Sequence, residues 1–495
     1  MLWLTFVAAL ADLQVYSSPL AVLPRRDTTE PDPSLYYYAE LAGKTYVNKG
    51  LVAYGFIPSN ATDIVGDTIS GIGSAIGLKP YTWTASNGTI SGTLIVQSDR
   101  GYNVQGPVNY QGRVHEYAFV LQPYYGTDNL VYDAAAETLQ LTYIGTTLHY
   151  DHGGVNTTGL EALAVRAATA RYPQLADADP QMPVATVQDS RLCLDAEGLV
   201  ADADGSVWTS NEYGPYIYHF SAAGYLIQTI QPPEAFLPYT SDGMLNFTSE
   251  TEPATRFEDL SLDISTRRLY ALLQSPTVQD GGLLSNPSPY TRLLAFDVSD
   301  PNEHPPVVGE WVVPLPLSNS GSNLYAASEV HFVAPGVFLV LSRDGKGEGG
   351  SSDKSKYKQA DLFDISNATD VNTPFFNGPG GAVSPGGTLN STITPAMYVS
   401  FVDYLNATQL ARFGLHNGKP DDDTLIDGEW ESLALAPVGD PAYPDDYFLF
   451  TAADNDFQTE DGVSVGVSYD AGLNENTQFM VFRLTLPGAA PQLDC

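Results

Sequence analysis

A glutamate that keeps returning at the head of a short apolar strand is the feature that most constrains this chain. Four segments carry it: Asp195-Ala196-Glu197-Gly198-Leu199-Val200, Phe257-Glu258-Asp259-Leu260, Ser328-Glu329-Val330-His331 and Trp430-Glu431-Ser432-Leu433. Each is followed by a turn and a second apolar run that ends in a polar cluster: Asn211-Glu212, Gln274-Ser275, Arg343-Asp344 and Asp454-Asn455. A degenerate copy precedes them, with Ser74 where the others hold glutamate and Asp99-Arg100 at its end. Self-similarity of this kind is the mark of a repeat architecture.

Further strand-like runs lie between copies, so each unit holds about four strands, the content of a propeller blade. Gly 44, Pro 35 and Tyr 30 favour turns and strands over helices. The expectation is an all-β propeller of five four-stranded blades. The long spacings from the first to the second copy and from the fourth to the fifth leave room for a sixth. A run over 46–57 is expected to complete the last blade and remove its exposed edge. Segments 159–185 and 372–392 read as long loops, and 405–415 as a short helix.

In a propeller the innermost strand of every blade lines the axis, so equivalent residues converge. Glu197, Glu258, Glu329 and Glu431 should meet there, with Asp99, Asn211, Glu212, Gln274, Asp344, Asp454 and Asn455 around the mouth. Converging carboxylates repel one another, and burial sharpens the conflict. Protonation or a bound cation resolves it, and hard oxygen donors suit Ca²⁺. The metal set expected is Glu197, Glu258, Glu329, Glu431, Asp99, Asn211 and Asp454. The competing reading makes the repeated glutamate a structural feature that bonds backbone N–H groups between blades.

With 22 basic and 58 acidic residues the formal charge is −36. Such a surface repels nucleic acid and anionic membranes and attracts cations. The expected partner is a small-molecule ester, and the expected state a monomer.

The apolar run 2–11 reads as a secretory leader and Arg25-Arg26 as a dibasic processing site, so 1–26 should be removed, leaving 27–495 as one propeller domain. Seven N-x-S/T sequons, at Asn60, Asn87, Asn156, Asn246, Asn367, Asn390 and Asn406, agree with export. In an oxidising compartment the two cysteines, Cys193 and Cys495, are expected to pair.

Segment 192–238, with D-A-E-G-L and S-N-E-Y-G-P-Y, resembles the phytase-like family, also described by an esterase-like activity of phytase. R-F-E-D-L-S-L, S-G-I-G-S-A-I with Q-S-D-R-G, and W-E-S-L-A-L with D-N-D are similar to it too. The resemblance implies a secreted hydrolase of phosphate esters. It implies roles for Glu197, Glu212, Glu258 and Glu431, and less directly Asp195. Arg100 and Arg343 would meet an anionic substrate. Phytate itself needs positive charge, which this chain supplies only through bound metal. Two other readings stand beside this one: a lactonase like the gluconolactonase-type propellers, and a non-catalytic binding propeller stabilised by Ca²⁺.

Gly462-Val463-Ser464-Val465-Gly466 matches G-x-S-x-G, but no helix is expected after it, as a nucleophile elbow requires. His149 and His152 are expected to point to opposite faces of a strand and to hold no metal.

Overall fold

The structure is a computed structural model; it describes residues 29–86, 88–102, 106–167, 180–240, 242–248, 256–282, 288–301, 304–321 and 323–490. The leader 1–26, Asn87 and Cys495 lie outside the described residues.

Five antiparallel sheets stand around one axis. Their inner strands are Ala75–Leu78 in blade I, Ala196–Ala201 in blade II, Phe257–Asp263 in blade III, Ala327–Ala334 in blade IV and Glu429–Pro437 in blade V. Each inner strand touches the inner strands of both neighbours, so the ring is closed. Among the described residues the long spacings hold no sixth blade. The first carries the outer strands of blade I, a helical turn at Tyr132–Ala136 and a small hairpin, Ala164–Arg166 with Met182–Val184. The second carries the outer strand of blade IV and the helix Ala407–Arg412, which Asn406 caps through Oδ1 on the N–H groups of Thr408 and Gln409.

Blade V is where the two ends of the chain meet. Its three strands from the C-terminal part are completed by Lys44–Ile57, which pairs with Thr477–Thr485, and by Tyr37–Leu41 outside it. The edge that a last sheet would leave open is thereby filled. The seam is pinned by Lys49, whose Nζ donates to Glu30 at 2.9 Å and to Asp446 at 2.8 Å.

Sequence runs such as Tyr447-Phe448-Leu449-Phe450 are apolar without alternation because both faces of a blade are buried. Phe448 and Phe450 pack towards blade I with Leu94, Val96 and Phe119, whereas Leu449 packs towards blade IV with Leu339 and Leu362. Period two therefore survives as a division between two cores, not between core and solvent.

Cys193 is buried in the core between blades I and II and is unbridged among the described residues. Of the sequons described, Asn60, Asn156, Asn367 and Asn406 are exposed and Asn246 and Asn390 half-buried. No helix of the described residues is long and apolar enough to cross a membrane.

Two glycines set how closely the inner strands approach. A Cβ on Gly73 would lie 2.0 Å from the Ala453 carbonyl of blade V, and one on Gly198 would lie 2.5 Å from the Leu260 nitrogen of blade III. Both neighbours are backbone and cannot yield. Gly73→Ala is expected to cost about 1–3 kcal/mol. Urea denaturation checks this, and a variant as stable as the parent would show that blades I and V do not meet there.

Candidate active site at the axial mouth

A bulge near each repeated glutamate builds the site. In blade III, Phe257 pairs with Leu273 and Asp259 with Leu272, leaving Glu258 as the extra residue. In blade V, Trp430 pairs with Ala453 and Ser432 with Ala452, leaving Glu431. In blade II the shift lies between Ala196 and Leu199 and contains Glu197. A bulged residue leaves the ladder and its side chain is re-aimed. Here the three carboxylates turn to one another: burial, with each other's charge, pushes Glu197 and Glu258 well above the usual carboxylate range.

Glu329 does not join them, which corrects the expectation. In blade IV the extra residue falls one place earlier, at Ser328, and Glu329 is the ladder partner of Leu341. Ser328 is thus the counterpart of Glu258. Glu329 faces Asp259 of blade III, and its Oε1 accepts from the Val330 N–H at 2.8 Å.

The second strands supply the rim. Gln274 donates to Glu258 at 2.9 Å and to Glu212 at 3.4 Å. Arg343 bonds Glu431 and grips both oxygens of Glu429 at 3.1 and 3.2 Å. In blade I, Ser74 stands at the glutamate position and donates to Asp454 at 2.7 Å. Arg256 donates to Glu212 at 2.6 Å, and Arg100 lies 3.2 Å from Asp195. Asp99 is buried beside Asp454 and Asp195, and its Oδ1 accepts from the Gly101 N–H at 2.9 Å.

Asn211 ties the second strand of blade II to the first. Its Oδ1 accepts the Asp195 N–H at 2.9 Å, and the Glu212 N–H donates back to the Asp195 carbonyl at 2.9 Å. Asn211 therefore positions its neighbours. What it holds in place is a group of three: carboxylate oxygens of Asp195, Glu197 and Glu212 lie within 4.8 Å of one another. No donor among the described residues is bonded to the Glu197 carboxylate. An all-oxygen, buried, incompletely bonded set of this kind fits a hard divalent cation.

Asp456 and Glu429 also belong to the mouth. Asp456 and Phe457 both adopt left-handed backbone, at φ 50° and 57°, unusual for two successive residues with side chains. This brings Asp456 beside Asp454, Glu429 and Arg343. The signals were present in the sequence: Glu429 lies two residues before Glu431, and Asp456 closes Asp454-Asn455-Asp456. Arg256 announces itself only as a basic residue just ahead of the blade III repeat.

Nine carboxylates, from Asp99, Asp195, Glu197, Glu212, Glu258, Glu429, Glu431, Asp454 and Asp456, thus share the mouth with three guanidiniums, from Arg100, Arg256 and Arg343. Burial pushes Asp195 and Asp456 up to about 7, whereas Arg256 holds Glu212 below its ordinary value against burial. Outside the mouth, the Gly462–Ser464 strand turns into a hairpin with Val467–Tyr469, which makes no elbow. His149 is buried flat against Phe220, 4.0 Å between ring centres.

The raised carboxyls make a stability prediction for metal-free protein. Their folded pKa lies above the unfolded value near 4, so the native state retains protons that the unfolded chain releases. The stabilisation is complete below about pH 4 and is lost as pH rises through about 7. Thermal melts in chelator should give a Tm that falls from pH 4 to pH 8. Arg256→Met should steepen the fall by freeing Glu212 to rise. A Tm that climbs across this range would contradict the buried-carboxyl account.

A family model described as "Phytase-like: Esterase-like activity of phytase" matches residues 90–376. An "Uncharacterized secreted protein" of Arthroderma benhamiae is 34% identical over 465 residues, covering 85% of this chain and 89% of that one. Among solved structures, PhoX of Pseudomonas fluorescens with vanadate is similar at 9% identity and a TM-score of 0.34, covering 89% of this chain and 95% of that one. The periplasmic gluconolactonase of Pseudomonas aeruginosa is similar at 12% identity and a TM-score of 0.30, covering 87% and 98%. The segment matched by the family model runs from the second strand of blade I into the loop before the outer strand of blade IV, and so includes Glu197, Glu212 and Glu258; on these grounds the chain belongs to the phytase-like family.

Proposed function

We propose that this chain is an exported, monomeric, divalent-cation-dependent ester hydrolase that works at the acidic axial mouth, with phosphate esters as the substrate class and Ca²⁺ as the ion. The observation that carries the reading is the group of Asp195, Glu197 and Glu212, the first two buried, with Arg100 and Arg256 bonded to it and Arg343 on the blade V side of the mouth. The family description, with its esterase-like activity, supports an ester bond as the target. The leader-like N-terminus and a relative described as secreted support export, with residues 1–26 removed ahead of a single propeller domain.

Asp195, Glu197 and Glu212 would hold the ion, and Glu258 and Glu431 stand beside Glu197. A bound divalent ion supplies Lewis acidity towards the ester oxygen and a lowered pKa for water. The chain's own part is positioning and proton handling. Glu258, raised by burial and by Glu212 and Glu431, holds its proton more firmly than a free carboxyl and is suited to pass it to a leaving group. Its orientation is set by Gln274. Arg100, Arg256 and Arg343 are only partly exposed and already bonded to carboxylates, so they would share their charge with an anionic ester. Each such contact is a charge-assisted hydrogen bond.

That pairing favours a second reading in one respect. With all three guanidiniums engaged, a neutral ester or lactone meets less repulsion at the mouth than a polyanion does. The two chemistries separate in one experiment, a panel of phytate, aryl phosphates, aryl esters and lactones run with and without Ca²⁺. Turnover of an aryl phosphate that needs Ca²⁺ is the expected result. Glu197→Gln should lower kcat by about 100-fold or more while the Tm in chelator is retained or raised. Ca²⁺ should raise the Tm strongly at pH 7 and little at pH 4, where protons already occupy the carboxylates. A folded, cation-loaded protein that turns over no member of the panel would leave a binding propeller in place of an enzyme.

A further inference from the structure

The inner strands run on past the carboxylates, and about 10 Å further along they line a second cavity with the opposite chemistry. One residue per blade sits at the centre of its lining: Gly77, Val200, Ser261, His331 and Ala434. On the carboxylate side of this tier lie Ile76, Leu199, Leu260 and Leu433, and on the far side Leu78, Leu262 and Leu435. The space, counting its open mouth, is about 730 Å³.

The cavity exists because four of the five central residues are small. A Cβ added at Gly77 would meet nothing nearer than 3.8 Å, in contrast to Gly73 and Gly198 on the same ring. Protein interiors otherwise close such space by interdigitation. Leucines flank the tier on both sides, and Ser261 and His331 are the polar side chains within it, so its lining suits an alkyl chain. At the open end sit Pro80, Thr82, Trp83 and Lys79. Lys79 is the one permanently cationic side chain of the lining. It places two contacts of 2.7 Å on Glu116 and, as an ammonium, carries a third proton.

We propose that this end of the axis binds a single unbranched alkyl carboxylate, with its chain in the aliphatic bore and its carboxylate at Lys79. The site is separate from the acidic mouth and needs no cation there.

Decanoate titrated into metal-free full-length protein, read by calorimetry and by Trp83 fluorescence, tests it. Saturable binding of one equivalent is expected. Gly77→Phe, which fills the bore without a backbone clash, should weaken binding by about 100-fold or more. Val200→Phe serves the same purpose should the first variant melt early. Lys79→Met should weaken decanoate by about 10-fold and leave decanol unaffected, and decyltrimethylammonium should bind more weakly than either. Absence of saturable binding to the parent would overturn the proposal. So would undiminished binding to a bore-filled variant that melts like the parent. Decanoate binding indifferent to Lys79→Met would overturn the placing of the carboxylate.

Discussion

Everything at the two ends of the axis depends on ring closure. Each blade has two apolar faces and is stable only between two neighbours, so five sheets must close on one another or leave a core exposed. The chain achieves this by spending its first long strand, Lys44–Ile57, on the last blade. That pairing sets the distance between blades V and I, and with it the bond from Ser74 to Asp454 across the seam. The acidic mouth therefore has a fifth wall only because strands more than four hundred residues apart are hydrogen-bonded.

Closure also forces charges together that would separate if they could. Three bulged glutamates and the rim acids are held by sheet geometry, not by mutual attraction. Two forces decide which of them stay ionised. Where a guanidinium lies within hydrogen-bond reach, as Arg256 does for Glu212, the charge is held despite burial. Where none does, as for Glu197, burial and like charge win and the carboxyl rises. Arginines alone are too few to neutralise the mouth, so protons or cations must supply the balance. A site assembled this way is sensitive to both by construction.

The five blades, the closing strand and the convergence of Glu197, Glu258 and Glu431 were legible in the sequence, because each rests on a repeated local pattern. What was not legible is register. Ser328-Glu329 and Phe257-Glu258 look alike as strings, but the bulge takes Ser328 in one and Glu258 in the other. A one-residue change in which residue is extra sends a side chain to a different neighbour. Asn211 shows the same limit: composition marks it as an oxygen donor, and only the fold shows that its oxygen accepts the Asp195 N–H and so positions that residue. Glu429 was missed because its position, two residues before the repeated glutamate, holds Asp195 in blade II and Arg256 in blade III, so the repeat carries no single residue type there.

The same bulge explains why one strand carries two chemistries. At the extra residue the side chain leaves the alternation and faces its counterparts across the axis, which is tolerable only for a group that protons, arginines or cations can satisfy. Past it, alternation resumes. The large residues Leu199, Leu260 and Leu433 fall into the core on one side of their blade, while Val200, Ser261 and Ala434 turn to the neighbour on the other side, Ser261 accepting the Phe332 N–H of blade IV at 2.7 Å. The inserted residues of blades II to V thus set which side chains face the acidic end of the axis, and the strands beyond them line the cavity at the other. Blade IV, where the insertion is Ser328, contributes a carboxylate to neither and places His331 in the apolar tier instead.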